Sequence, residues 1–213
     1  MRFICLCLMG LTFFYSCHQK NKDYSDISNN FKDDSVENEK RIVETHIDST
    51  YFKLFENNPN FISKKFDFPV GKPNAVGYYN AQKFKENNHL GDDWNGKGGG
   101  NSDLGDSIYA IVNGYVSEAI DYGGGWGNVV RIIHQFDNKL YESVYAHCDT
   151  ILVKENKFIK RGDKIATIGN CNGIYYAHLD LEIRDSIQMS IGGGYSDDTR
   201  GYLNPTAFIK KHR

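Results

Sequence analysis

Five side chains in this sequence have the types and spacing of a metal-assisted acid–base site. His89 and Asp93 stand in the string HLGDD, His178 and Asp180 in AHLDLEIR, and His147 in YAHC between them. Imidazole and carboxylate together suit zinc, and three protein ligands with one open position mark a catalytic rather than a structural ion. A dication in such a setting polarises a carbonyl or acidifies a water, and a nearby imidazole relays the protons.

The elements around these residues read as β-structure. Strands are expected near 108–112, 114–120, 128–134, 140–147, 164–168 and 177–184. Across 177–184 the two-residue alternation of a strand puts His178, Asp180 and Glu182 on one face and Leu179, Leu181 and Ile183 on the other. The apolar face can join a core while the polar face lines a cleft; an ordinary strand with a solvated polar side is the other reading of the same pattern. Gly91 would let the backbone bend sharply between His89 and Asp93. Tyr145 shares the face of His147 by alternation and could hold substrate, although packing is the commoner duty of a tyrosine, while Cys148 points away. Asn113-Gly114 is a hairpin-turn signal. Pro205 opens a short closing helix, and residues 40–56 have the apolar content for another.

At this point a resemblance becomes specific. HLGDD resembles the His-x-Gly-x-Asp element of the lysostaphin-type (LytM-like) zinc peptidases, and YAHC resembles their Tyr-Ala-His-Leu strand. GNCNGIYYAHLDLEIR is similar to their closing segment with His-x-His, IKRGDKIATIG to their Val-x-x-Gly-x-x-Ile-Gly hairpin, and GYV and GGGWGNVVRIIH to two further glycine-marked strands. The likeness runs in order from about residue 61 to 209. It implies a mainly β, single-domain fold of antiparallel sheets forming an open groove, with short flanking helices. It also implies Zn2+ on His89, Asp93 and the residue at 180, proton transfer by His147 and His178, and peptidoglycan as substrate.

One position departs from that pattern. Where the family carries the second His of His-x-His, this chain carries Asp180. A carboxylate binds zinc at nearly the same distance as imidazole. One His and two Asp, however, neutralise a dication that two His and one Asp leave positive, so bound water is acidified less and harder ions such as Mn2+ are favoured more. The expectation is a zinc-dependent endopeptidase acting on peptidoglycan; the alternative is a catalytically impaired module that binds peptidoglycan or regulates a hydrolase.

The N-terminus bears on compartment. Arg2 precedes an apolar run from Phe3 to Tyr15, the length of a signal-peptide core and short for a bilayer span. The run ends at Ser16-Cys17, which resembles a bacterial lipoprotein processing site, so residues 1–16 are expected to be a signal peptide and Cys17 the lipid attachment point; ordinary secretion is the other reading. Residues 17–60 are rich in Asn, Asp and Lys and read as a flexible tether, followed by one domain over 61–213. These features place the chain in a bacterial cell envelope, anchored to membrane. A net charge of −2 and a pI near 6.4 argue against a nucleic-acid face. GDDWNGKG at 91–98 meets part of a phosphate-loop pattern, but Gly98 replaces the Ser or Thr that would bind Mg2+ and two acids would repel phosphate. Cys148 and Cys171 could pair in an oxidising envelope or stay as buried thiols. His18, His46, His134 and His212 read as structural or solvated.

Overall fold

In a computed structural model, the described residues are Val36, Glu39–Arg41 and 46–213; the apolar run before Cys17, Cys17 itself and His18 lie outside them. The chain divides into residues 1–43 and 44–213, and the strands and the candidate site lie in the second unit. Among the described residues, no helix is long and apolar enough to cross a membrane.

The fold is mainly β, as expected. Ten strands form one antiparallel sheet: β1 Tyr78–Gln82, β2 Asp92–Gly96, β3 Ser107–Tyr109, β4 Gly114–Asp121, β5 Asn128–Phe136, β6 Lys139–Ile151, β7 Lys157–Ile159, β8 Lys164–Ile168, β9 Leu179–Arg184 and β10 Tyr202–Leu203. The main path runs β1-β2-β9-β6-β5-β4-β7, with β10 on β9 and β8 joining β3 to β6. Alternating β-branched residues drive this arrangement, because their side chains pack on a pleated surface. Leu179, Leu181 and Ile183 of β9 enter one core with Ile108, Val116, Val130, Ile132, Ile165 and Ile168. Helical residues 46–56 lie within the span expected to be helical, and Phe55 there packs with Ile133 and Leu140. The closing helix Pro205–Lys211 is present, capped by the Asn204 side chain, which accepts from Ala207 N at 2.8 Å.

Three local expectations need correction. Asn113-Gly114 is not a hairpin turn: β3 pairs with β8, β4 pairs with β5 and β7, and Gly114 is the first residue of β4. A Cβ on Gly114 would stand 2.5 Å from the His134 ring and 2.7 Å from Ile133 O, so the glycine serves close approach. Tyr145 is not in a groove; it is fully buried in the core, and its hydroxyl accepts from Ile111 N at 3.0 Å. Alternation from Tyr145 to His147 fails because β6 carries one extra residue against β5 there, and His147 sits at φ +57°. The third concerns the polar face of β9: Glu182 does not line a cleft. It is buried and joins Arg184 at 2.5 Å, Arg184 approaches Glu142 at 3.6 Å, and Glu142 holds Arg131 at 2.8 Å.

Candidate metal centre and groove

His89 reaches the site from a turn that its sequence makes cheap. Asn87 and Asn88 precede it at φ +51° and +65°, left-handed conformations that asparagine tolerates better than most residues. The next strand, β2, brings Asp93, and β9 brings Asp180. These two acids are direct cross-strand partners in the antiparallel β2–β9 pair. Gly91 stands against Asp180: a Cβ there would lie 2.3 Å from Asp180 Oδ1 and 2.8 Å from Leu181 O. Its role is therefore clearance for Asp180, with no left-handed bend involved. Asp92, the other acid of HLGDD, turns away from Asp93. It accepts from Phe84 N at 2.9 Å and from Thr206 N and Oγ1 at 2.8 and 2.6 Å, tying the closing helix to β2.

The three expected ligands converge. Ligand atoms of His89, Asp93 and Asp180 all lie within 4.8 Å of one another. His89 Nε2 is 3.5 Å from Asp93 Oδ1 and 3.5 Å from Asp180 Oδ1, too long for good hydrogen bonds. A tetrahedral ion with bonds of about 2.1 Å holds its ligand atoms about 3.4 Å apart. Both Oδ1 atoms are buried and have no hydrogen-bond partner among the described residues. Two buried like charges facing each other are costly unless a cation or proton sits between them. The titration behaviour agrees. Burial opposes protonation of His89, but the Asp180 and Asp93 carboxylates outweigh it and push its pKa up to about 9. Asp93 is raised by burial and by the charge of Asp180, whereas for Asp180 the opposing His89 overcomes burial and lowers it.

The two other histidines stand at the edge of this cluster. His178 bridges to Gly169 just before β9, and its Nε2 is 3.9 Å from Asp93 Oδ1. Its Nδ1 is 2.8 Å from Tyr176 O; a carbonyl only accepts, so Nδ1 carries the proton and donates it there. The His147 and His178 rings lie 4.7 Å apart. Burial lowers the pKa of His147, and the Asp180 charge only partly opposes it.

A pocket of about 250 Å³ contains all five residues, walled by Trp126, Tyr175 and Tyr195. It opens beside a larger groove of about 710 Å³ bordered by Gln82, Asn95, Asn101 and Tyr176. The glycine-rich segment 98–106 borders this groove through Asn101 and is tied down. Asn101 Oδ1 accepts from Ala177 N at 2.9 Å and Asp103 Oδ2 accepts from Gly96 N at 2.8 Å, so this loop helps set the chain direction into His178. Trp126 Nε1 donates to Gly192 O at 3.0 Å, which fixes the facing loop. Cys148 faces the core and Cys171 lies beside His147; both are free thiols. His134 is structural, buried between Asn113 O and Ser143 Oγ. The aromatic walls and the Asp92 and Asn101 ties had no sequence signal beyond residue type.

The sequence model of Peptidase family M23 matches residues 87–192, the span that contains all five residues. Lipoprotein NlpD of Yersinia enterocolitica is 44% identical over 80 residues, covering 38% of this chain and 78% of that protein. Murein hydrolase activator NlpD of Escherichia coli is 42% identical over 80 residues, and the match covers 38% of this chain and 20% of that protein. Peptidoglycan DD-endopeptidase ShyB of Vibrio cholerae is 40% identical over 57 residues, 27% of this chain and 13% of that protein. On the match to the family model and on the relative covered over most of its length, the chain belongs to peptidase family M23.

Proposed function

We propose that this chain is a zinc-dependent endopeptidase that hydrolyses peptide bonds in peptidoglycan, with His89, Asp93 and Asp180 holding the ion and His147 and His178 moving protons. The observation that carries this reading is the pair of orphaned, buried carboxylate oxygens, each 3.5 Å from one imidazole nitrogen. Zinc bound there would polarise an amide carbonyl and acidify a water; the two carboxylates make manganese an acceptable substitute. His178 keeps Nδ1–H on Tyr176 O, which leaves Nε2 facing the groove as a proton acceptor or, once protonated, a donor to a leaving amine. His147 stays neutral in its buried setting and suits the role of base. Trp126, Tyr175 and Tyr195 wall the pocket in which the reacting bond would lie. The wider proposal is an envelope lipoprotein: residues 1–16 a signal, Cys17 acylated, a tether from there up to the packed helical residues 46–56, and the peptidase domain from that helix to residue 213, a reading supported by the lipoprotein name of the Yersinia relative.

One further reading has a specific basis. Asp180 stands where the family pattern has His, and the Escherichia coli relative is named an activator of murein hydrolases. A module that has lost turnover would keep the groove and act on a hydrolase instead. Incubating the purified full-length chain with isolated cell walls separates the two. The peptidase releases muropeptides alone, stops with a chelator and fails as His147→Ala. The activator releases nothing alone, raises release by an added wall hydrolase, and does so equally well as His147→Ala.

A further inference from the structure

Cys171 does not belong to the ligand set, yet its sulfur meets a ring nitrogen of a groove residue. Cys171 Sγ lies 3.3 Å from His147 Nδ1 and 3.3 Å from Gly125 O. The cysteine is 7% exposed, and its left-handed backbone, φ +50°, turns the thiol inward from the short helical turn Cys171–Gly173. Gly127 faces the sulfur, and a Cβ there would stand 3.0 Å from it, so the thiol fills a fitted space.

The hydrogen bonds around the sulfur have a direction. Gly125 O is a carbonyl and can only accept, so it takes the S–H proton. With its hydrogen directed there, the sulfur meets Nδ1 through a lone pair and Nδ1 carries the ring proton; the Trp126 and Gly125 carbonyls lie close enough to the ring to favour its N–H as well. The neutral imidazole then presents a free lone pair on Nε2, away from the thiol. Free imidazole has no such fixed choice of tautomer. Burial holds the thiol protonated, which keeps a thiolate from the site.

We propose that Cys171 is a positioning residue that sets the tautomer and ring orientation of His147, leaving Nε2 as the base in the groove. This deepens the peptidase reading and rests on it for its kinetic consequence, though not for its structural one. The two can fail separately. The test is nitrogen-15 NMR of histidine-labelled, metal-free, full-length chain at neutral pH, with His147 signals assigned by their loss in His147→Gln. Wild type and Cys171→Ser, which keeps a donor and an acceptor, should show Nδ1–H. Cys171→Ala, or the space-filling Cys171→Val should the alanine variant unfold, should show a mixture enriched in Nε2–H. On the peptidase reading these same variants lower kcat by roughly tenfold to a hundredfold with KM nearly unchanged, and serine restores most of it. A wild-type His147 with bare Nδ1, or a tautomer unmoved by Cys171→Ala or Cys171→Val, would overturn the proposal. A chain that cleaves no peptide yet shows the tautomer shift leaves it standing and sinks the peptidase reading instead.

Discussion

Asp93 and Asp180 face each other across an antiparallel strand pair, each with a buried oxygen that nothing in the described structure satisfies. Like charges at directly opposed positions weaken a sheet. Here the arrangement is kept, and His89 Nε2 is aimed at the same oxygens. Such a cluster is built for positive charge.

It follows that a bound ion should hold the fold together. At a zinc concentration about a hundredfold above Kd, the folded state gains about 2.7 kcal/mol. For a domain of this size that is a rise in Tm of roughly 5–10 °C. Asp93→Asn and Asp180→Asn should each abolish most of the rise, which differential scanning calorimetry with and without zinc would measure.

Gly91 supports the same centre from behind. Gly91→Ala would place a methyl 2.3 Å from Asp180 Oδ1 and 2.8 Å from a backbone oxygen that cannot swing away. Overpacking of this kind costs about 1–3 kcal/mol, and here it also displaces the Asp180 carboxylate. Urea unfolding should show that loss of stability, and the zinc-dependent rise in Tm should shrink with it.

The buried ion network beneath β9 predicts a large effect away from the groove. Arg184 is fully buried against Glu182, with Glu142 also in reach. Arg184→Met removes the cation and leaves two buried acids under-paired. Breaking such a network from one side costs about 3–5 kcal/mol, whereas replacing Arg184 and Glu182 together with apolar residues should cost less than the single change. Denaturant midpoints of the two variants test the ordering.

His134 gives the fold an acid limb. Its Nδ1–H donates to Asn113 O and its Nε2 accepts from Ser143, and complete burial pushes its pKa down to about 4. In the unfolded chain a histidine titrates near 6.5. Between those values the unfolded state holds the extra proton, so stability rises with pH across the window and falls on acidification. The loss amounts to about 3 kcal/mol by the time pH reaches the folded value. His134→Gln should flatten that limb between pH 7 and 4, as read from urea midpoints at stepped pH.

The candidate ligand types and their order along the chain were legible because HLGDD, YAHC and AHLDLEIR set His and Asp within or beside strand patterns. Alternation placed Leu179, Leu181 and Ile183 in the core correctly, since β9 runs without a bulge. It failed for Tyr145, where the extra residue of β6 and the positive φ of His147 reverse the face. It also failed for Glu182, because a charged residue in a strand reads as solvated until Arg184 and its partners are seen packed around it. Gly91 and Gly114 were noticed for backbone freedom, but their positions depend on long-range neighbours that no local pattern contains.

The most direct test of the metal centre is a count of metal per chain. Full-length protein equilibrated with zinc, freed of excess ion and analysed by mass spectrometry should carry about one equivalent, and Asp180→Ala should carry close to none. Wild-type protein that retains no zinc or manganese would contradict the account.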